Sequence, residues 1–129
     1  MIESVLSREN ALFLIAESGG QIVGNLDFSG GSKSRTAHTG EFGISVLKDY
    51  WGEGIGKALV AELINWAHKN DVIRKINLRV RTDNARAIRL YKSFGFEEEG
   101  TIRRDFLIDG VFYDSLQMGL PIDPSNPPI

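Results

Sequence analysis

The feature that most constrains the fold is a strand-like segment that runs through a glycine-rich turn into an amphipathic helix and then into a second strand-like segment. In residues 41–47 apolar side chains occupy every second position, which is the period of a half-buried strand. After the turn, apolar residues recur at helical spacing from Ile55 to about Lys69. Residues 75–81 alternate again. A strand, helix, strand order predicts a right-handed unit with two parallel strands, and therefore a mixed α/β domain.

The rest of the chain predicts two hairpins and a second helix. Ser18-Gly19-Gly20 and Asp109-Gly110 supply the positive φ values that tight hairpin turns need. All four prolines follow residue 120, so residues 1–120 are expected to form one domain and residues 121–129 a frayed proline-rich tail. The predicted strands are residues 11–17, 21–28, 97–108 and 111–118, and the predicted helix is residues 84–94.

Composition excludes several classes of protein and of mechanism. The 129 residues include no cysteine, which excludes disulfides, thiolate zinc sites and a covalent intermediate on sulfur. A net charge of −2 argues against a nucleic-acid partner. His38 and His68 are too far apart in the sequence to predict a metal site, so no metal is expected. The sequence shows neither a spanning apolar run nor a signal-peptide pattern, which predicts a cytoplasmic protein with no membrane partner.

Three glycines stand at the junction between the first strand of the parallel pair and the long helix. Gly52, Gly54 and Gly56 would leave unpaired backbone amides at the positive end of the helix dipole, which is a favourable site for phosphate. A tight turn without a ligand is the alternative. The spacing fails both the P-loop pattern and the dinucleotide fingerprint G-x-G-x-x-G, so nucleotide hydrolysis and hydride transfer lose support.

Two motifs follow one another along the chain. Residues 51–56 read W-G-E-G-I-G, and a second motif, N-x-x-A-x-x-L-Y-x-x-x-G-F, is formed by Asn84, Ala87, Leu90, Tyr91, Gly95 and Phe96. Together they resemble the motifs of the GNAT superfamily of acyl-CoA-dependent N-acyltransferases, whose first pattern is R/Q-x-x-G-x-G/A, except that Trp51 replaces Arg or Gln. The resemblance implies an α+β GNAT fold, in which a mixed, mostly antiparallel sheet splays between two parallel strands and is flanked by helices. The usual first strand and helices are expected to be lacking.

The resemblance also implies a reaction. Acetyl-CoA would donate an acetyl group to a primary amine of a small molecule, an amino acid or a protein N-terminus, by direct attack in a ternary complex. Tyr91 resembles the general acid that protonates the leaving thiolate, although a tyrosine on the apolar stripe of a helix is by itself more often a core residue. Glu41 is the candidate general base, and its alternative role is a solvated strand-end carboxylate. Asp27, Asp105, Asp114 and a water relay are rivals for the base.

The contacts with the cofactor are also assigned through the resemblance. Backbone amides of the glycine turn would hold the pyrophosphate, and the N–H near Ser45 or Val46 would polarise the thioester carbonyl. Asn84 is expected to cap its helix as well as to reach the cofactor arm. The full set of expected cofactor-binding residues is Ser45, Val46, Trp51, Gly52, Glu53, Gly54, Ile55, Gly56, Lys57, Asn84, Ala87 and Lys92.

Two alternatives to an enzyme stay open at the level of sequence. The chain could be a noncatalytic acyl-CoA-binding sensor or subunit, or a small nucleotide-binding domain. Because the segment that usually covers the acceptor cleft is expected to be lacking, the chain is also predicted to form a homodimer that covers apolar surface near the first hairpin.

Overall fold

The computed structural model describes residues 1–123, which form one seven-stranded sheet and two α-helices. The strands lie side by side in the order β1-β2-β3-β4-β5-β7-β6, and a short 3₁₀ helix, Lys48–Tyr50, precedes the first α-helix. The bounds are β1 Ile2–Arg8, β2 Ala11–Ser18, β3 Gln21–Gly30, β4 Thr39–Val46, α1 Ile55–His68, β5 Lys75–Arg81, α2 Ala85–Ser93, β6 Glu97–Ile108 and β7 Val111–Pro121.

The elements predicted from periodicity and turn chemistry are confirmed. The turn between β6 and β7 holds Asp109 at φ 50° and Gly110 at φ 78°, as a type I′ hairpin requires. Gly95, at φ 102°, directly follows the C-cap of α2 and ends that helix in the left-handed conformation. The α+β class with a mixed, mostly antiparallel sheet is therefore confirmed.

The first strand of the sheet is not among the strands predicted from the sequence. Residues 2–8 form β1, which pairs antiparallel with β2 and leads directly into it. Of these residues only Ile2 is half-buried, and the others are exposed. An edge strand that buries almost nothing carries no period-2 signal, so the pattern of apolar residues could not reveal it.

The sheet also extends past the predicted domain boundary at residue 120. Pro121 is the last residue of β7 and lies opposite Lys75. Ile122 is 1% exposed, and its N–H donates to the carbonyl of Arg74 at 2.9 Å. The packed structure therefore continues through Ile122, because burial of its side chain outweighs the proline signal. The rest of that tail, residues 124–129, lies outside the described residues.

Both helices pack on the same face of the sheet. The ring centroid of Phe42 on β4 lies 5.9 Å from that of Tyr91 on α2. On the same face of β4, the Cδ1 of Ile44 lies 3.9 Å from the position that a Cβ on Gly56 of α1 would occupy. Strand alternation places Glu41 on the opposite face. In residues 1–123 that opposite face carries no helix, and we call it the helix-free face. Neither α-helix of the described region is long and apolar enough to cross a membrane.

The parallel strands β4 and β5 pair over only part of their lengths. Their register joins residues 39–41 to residues 75–77 and then stops. Beyond that point β4 remains paired with β3, and β5 remains paired with β7. The second half of each strand therefore presents one unpaired backbone edge, and the two edges diverge to open a cleft in the sheet.

Candidate active site

The cleft between β4 and β5 has a volume of about 380 Å³ and receives side chains from four elements. The unpaired edges of the two parallel strands form its walls, while α2 and β6 close its sides. Unpaired backbone N–H and C=O groups can accept an extended ligand as though it were an added strand. The lining residues are Phe42, Gly43, Ile44, Leu78, Arg79, Val80, Arg81, Asn84, Ala87, Tyr91, Phe106 and Ile108.

Tyr91 lies in this cleft with its ring buried and its hydroxyl available. The residue is 8% exposed, and its ring packs edge-on against Phe42 and Phe96 with both centroids at 5.9 Å. No hydrogen-bond partner for the hydroxyl lies in residues 1–123, and the oxygen is not sealed inside the core. Burial raises the pKa of Tyr91 above its ordinary value. The hydroxyl therefore keeps its proton at neutral pH and can donate it into the cleft.

Asn84 and Ala87 meet at the start of α2 and also line the cleft. The Oδ1 of Asn84 accepts a hydrogen bond from the backbone N–H of Ala87 at 3.2 Å, so the predicted N-cap is confirmed. The bond occupies the carbonyl end of the Asn84 side chain and leaves its amide NH₂ without a described partner. Capping and ligand contact are therefore compatible roles for this residue.

The glycine turn has the geometry of an anion site. Gly52 and Gly54 have φ values of 84° and 81°, which other residues rarely adopt, and a Cβ on Gly54 would meet no atom within 4 Å. No side chain caps α1, and no acidic residue lies in its first turn. The bond from the N–H of Ala58 to the carbonyl of Gly54 is the first of the helix, which leaves the amides of residues 55–57 unpaired in the described structure.

Trp51 replaces the Arg or Gln of the family pattern and has a structural contact of its own. Its indole Nε1 donates to the carbonyl of Val46 at 2.7 Å, while the residue remains 61% exposed. The ring therefore folds back over the end of β4 and fixes the position of the turn relative to that strand.

Arg86 is a basic residue next to the glycine turn that the sequence analysis did not identify. Its Nη2 lies 3.9 Å from the position that a Cβ on Gly52 would occupy. The side chain is exposed and forms no ion pair in residues 1–123. Only the tertiary arrangement brings the start of α2 against the start of α1, so sequence spacing alone could not indicate this contact.

Glu41, the candidate base, lies on the helix-free face and is bound to Arg79. Its two carboxylate oxygens accept from Arg79 Nε at 2.9 Å and from Nη2 at 3.1 Å. The Nη1 of Arg79 lies 3.2 Å from Asp105 Oδ2, which also accepts from the hydroxyl of Ser115 at 2.6 Å. The hydrogen bonds to Glu41, followed by its charge, raise the pKa of Arg79. We call Glu41, Arg79, Asp105 and Ser115 the Arg79 cluster.

Other predicted site residues lie at varying distances from the cleft. Ser45 and Val46 stand at the end of β4 opposite Asn25 and Gly24 of β3, and their side chains do not line the cleft. Lys92 lies in the last turn of α2 and pairs with Glu98 at 2.6 Å. Arg86, which lies beside Gly52, stands near the start of the same helix. Glu53, Gly54 and Ile55 line a smaller pocket of about 170 Å³ beside the glycine turn. Gly56 and Lys57 lie in the first turn of α1, and Lys57 is exposed.

Two of the rival carboxylates, Asp114 and Asp27, lie elsewhere on the sheet. Asp114 Oδ1 accepts from the backbone N–H of Arg104 at 3.0 Å, which assigns that carboxylate a structural role. Asp27 lies on the helix-free face opposite Gly43. Within residues 1–123, no group of three or more His, Cys, Asp or Glu side chains is arranged to hold a metal ion.

Comparison with known proteins agrees with this geometry. The model of the acetyltransferase (GNAT) family matches residues 2–96. The L-amino acid N-acetyltransferase AaaT of Escherichia coli is 34% identical over 116 residues, which cover 90% of this chain and 72% of that protein. The [ribosomal protein bS18]-alanine N-acetyltransferase of Escherichia coli is 45% identical over 83 residues, which cover 63% of this chain and 54% of that protein.

A solved structure shows the same fold. The acetyltransferase of the GNAT family from Streptococcus pneumoniae superposes with a TM-score of 0.84 at 34% identity, covering 90% of this chain and 69% of that one. The chain thus spans about half of the length of the ribosomal-protein acetyltransferase and about 70% of the lengths of the other two proteins. From the family match and the identity to these relatives, the chain belongs to the acetyltransferase (GNAT) family.

Proposed function

We propose that this chain is an acetyl-CoA-dependent N-acetyltransferase that acts on a primary amine of a small molecule, an amino acid or a protein N-terminus. The observation that carries the proposal is the opening of the sheet between β4 and β5, which brings Tyr91 and unpaired strand edges into one cleft. The relatives named above act on L-amino acids and on an alanine of a ribosomal protein, and both are amine acceptors.

Acetyl-CoA, the proposed donor, would contact three features of the structure in succession. Its pyrophosphate would rest on the unpaired amides of residues 55–57, where the helix dipole and the missing Cβ atoms favour an anion. Arg86 adds a positive charge beside Gly52, at the same turn. From there the pantetheine arm would run between the open edges of β4 and β5 toward Tyr91, with Asn84 beside it.

The proposed chemistry uses Tyr91 in the cleft, a backbone N–H at the end of β4, and Glu41 on the helix-free face. The amine nitrogen attacks the thioester carbon, while a backbone N–H near Ser45 or Val46 polarises the carbonyl oxygen. When the tetrahedral intermediate collapses, the carbon–sulfur bond breaks and Tyr91 donates its proton to the departing sulfur. Glu41 is our proposal for the carboxylate that receives the proton from the amine. Transfer is direct because the chain has no cysteine to carry a thioester.

A steady-state assay of thiol release separates an enzyme from a sensor. The wild-type chain is mixed with acetyl-CoA and a panel of primary amines, and free CoA thiol is measured with and without each amine. An enzyme releases CoA in an amine-dependent manner, whereas a noncatalytic acyl-CoA-binding protein binds the donor without amine-dependent release. The cytoplasmic location and the homodimer stay predictions, and sedimentation at high concentration tests the dimer.

A further inference from the structure

The open edge of β4 ends with the backbone groups of Val46. The N–H of Leu47 donates to the carbonyl of Val23 at 2.8 Å, so these two residues form a hydrogen-bonded pair between β4 and β3. In an antiparallel ladder such pairs alternate with pairs whose N–H and C=O groups point away from each other. Val46, opposite Gly24, is of the second kind. Its N–H and its carbonyl therefore face away from β3 and toward the open edge of the cleft.

The side chain of Trp51 occupies this carbonyl. Its indole Nε1 donates to the oxygen of Val46 at 2.7 Å, which is short for an N–H donor. Trp51 directly precedes Gly52, the first glycine of the turn, so the indole reaches back across the junction between the turn and the cleft. The hydrogen bond is therefore made where a pantetheine arm in the cleft would have to join a diphosphate at the glycine turn.

Little besides this hydrogen bond holds the indole in place. Trp51 is 61% exposed, and in residues 1–123 no aromatic ring or cation stacks on it. Trp66, the other tryptophan, instead packs edge-on against Phe28 with centroids 5.9 Å apart and donates to Ser7 Oγ at 3.1 Å. A single hydrogen bond contributes little net free energy when another donor can replace it. The ring of Trp51 can therefore leave Val46 at small cost.

The proposed donor brings N–H groups of its own to the same edge. The pantetheine arm contains amide groups, and an arm that lies along an open strand edge pairs with the backbone as an added strand does. The carbonyl of Val46 is the last acceptor that β4 offers before the glycine turn. An amide of the arm and the indole of Trp51 would both approach this oxygen from the open side of β4, because β3 covers the other side.

We propose that Trp51 sets the affinity for the donor by competing with the pantetheine arm for the carbonyl of Val46. This inference rests on the proposed acetyltransferase function. When acetyl-CoA binds, an amide N–H of the arm replaces the indole N–H, and the ring moves out into solvent. Trp51 therefore lowers the affinity for acetyl-CoA and for the product CoA, whereas a residue that only anchored the glycine turn would raise both affinities.

The test is Trp51→Phe, which keeps an aromatic ring and removes the N–H. In calorimetry the variant should bind acetyl-CoA and pantetheine about three- to tenfold more tightly than the wild type, the range expected for one hydrogen bond. ADP, which has a diphosphate and no pantetheine arm, should bind both chains equally. In steady-state assays the KM for acetyl-CoA should fall while kcat stays unchanged, because the gain is in binding alone.

The matched control is Trp66→Phe, which removes the other indole N–H and its bond to Ser7. It should leave the affinities for acetyl-CoA, pantetheine and ADP unchanged. Together the two variants identify the two indole N–H signals in the NMR spectrum of the isotope-labelled chain. Addition of CoA to the wild type should accelerate exchange of the Trp51 indole proton with water, because that proton loses its acceptor, and should leave the exchange of the Trp66 proton unchanged.

The outcomes distinguish this inference from the proposed function. Unchanged or weaker binding of acetyl-CoA and pantetheine by Trp51→Phe, or slower exchange of the Trp51 indole proton with CoA present, overturns the competition while acetyl transfer stands. Weaker binding of ADP as well would show that the indole anchors the glycine turn instead. If the wild-type chain binds no acetyl-CoA and acetylates no amine, the proposed function fails and this inference fails with it.

Discussion

Replacing Tyr91 with phenylalanine removes the proposed proton donor and almost nothing else. The phenylalanine ring keeps the edge-on contacts of the tyrosine ring with Phe42 and Phe96, each with centroids at 5.9 Å. The lost hydroxyl has no partner in residues 1–123, so no donor or acceptor is left unsatisfied in the core. We therefore expect the free energy of unfolding to change by less than about 1 kcal/mol.

The catalytic effect should be far larger than the effect on stability. Loss of a general acid lowers a rate by about 10²- to 10⁴-fold, which corresponds to about 3 to 5 kcal/mol of transition-state stabilisation. The affinity for acetyl-CoA should be retained. With an activated thioester whose thiol leaves readily, the loss in kcat should be smaller, because that thiolate needs no proton to depart.

The pH profile gives a second readout. The acid acts in its protonated form, so activity that depends on Tyr91 falls as pH rises through its pKa. Burial raises that pKa above the ordinary value of about 10. Tyr91 should therefore cause no loss of kcat below about pH 10.

The matched control is Tyr50→Phe, whose hydroxyl lies 3.4 Å from Gln21 Oε1 and outside the cleft. Its kcat should equal that of the wild type. An unchanged kcat in Tyr91→Phe would refute the acid assignment and leave Tyr91 as a core residue. Equal losses with both thioesters would instead show that the hydroxyl orients the donor.

Three further substitutions test the donor site and the core. Arg86→Ala should weaken acetyl-CoA binding about tenfold in calorimetry without affecting pantetheine binding, whereas Arg89→Ala, also exposed on α2, should leave both unchanged. Gly54→Val should abolish acetyl-CoA binding, while Gly20→Val, at φ 82° with equally open space, should share its strain but keep full affinity. Leu63→Ala, fully buried in α1, should lower the free energy of unfolding in urea by about 2–5 kcal/mol.

Periodicity and turn chemistry were sufficient to predict most of the sheet and both helices. Residues 75–81 alternate strictly between apolar and polar, which predicts a strand because every second side chain of a half-buried strand faces the core. Asp109-Gly110 predicts the hairpin because both residues tolerate positive φ. The edge strand β1 lacks such a signal, since it buries almost none of its side chains.

Some features of the candidate site could likewise be predicted from the sequence, and others could not. Local features such as the glycine turn and the Asn84 cap follow from short-range backbone requirements, so the sequence predicts them. Arg79 meets Asp105 only because β7 lies between β5 and β6 and because β6 bulges at residues 103–105. Arg79 and Asp105 are 26 residues apart in the chain, and a contact over that separation leaves no local pattern in the sequence.

The central claim is that acetyl groups pass directly from acetyl-CoA to an amine in the cleft between β4 and β5. The most direct measurement is the release of CoA thiol by the wild-type chain in the presence of a primary amine, with mass spectrometry of the amine product. The account predicts amine-dependent release with one acetylated amine formed per CoA. Tight binding of acetyl-CoA with no amine-dependent release from any primary amine tested would contradict it and favour the sensor.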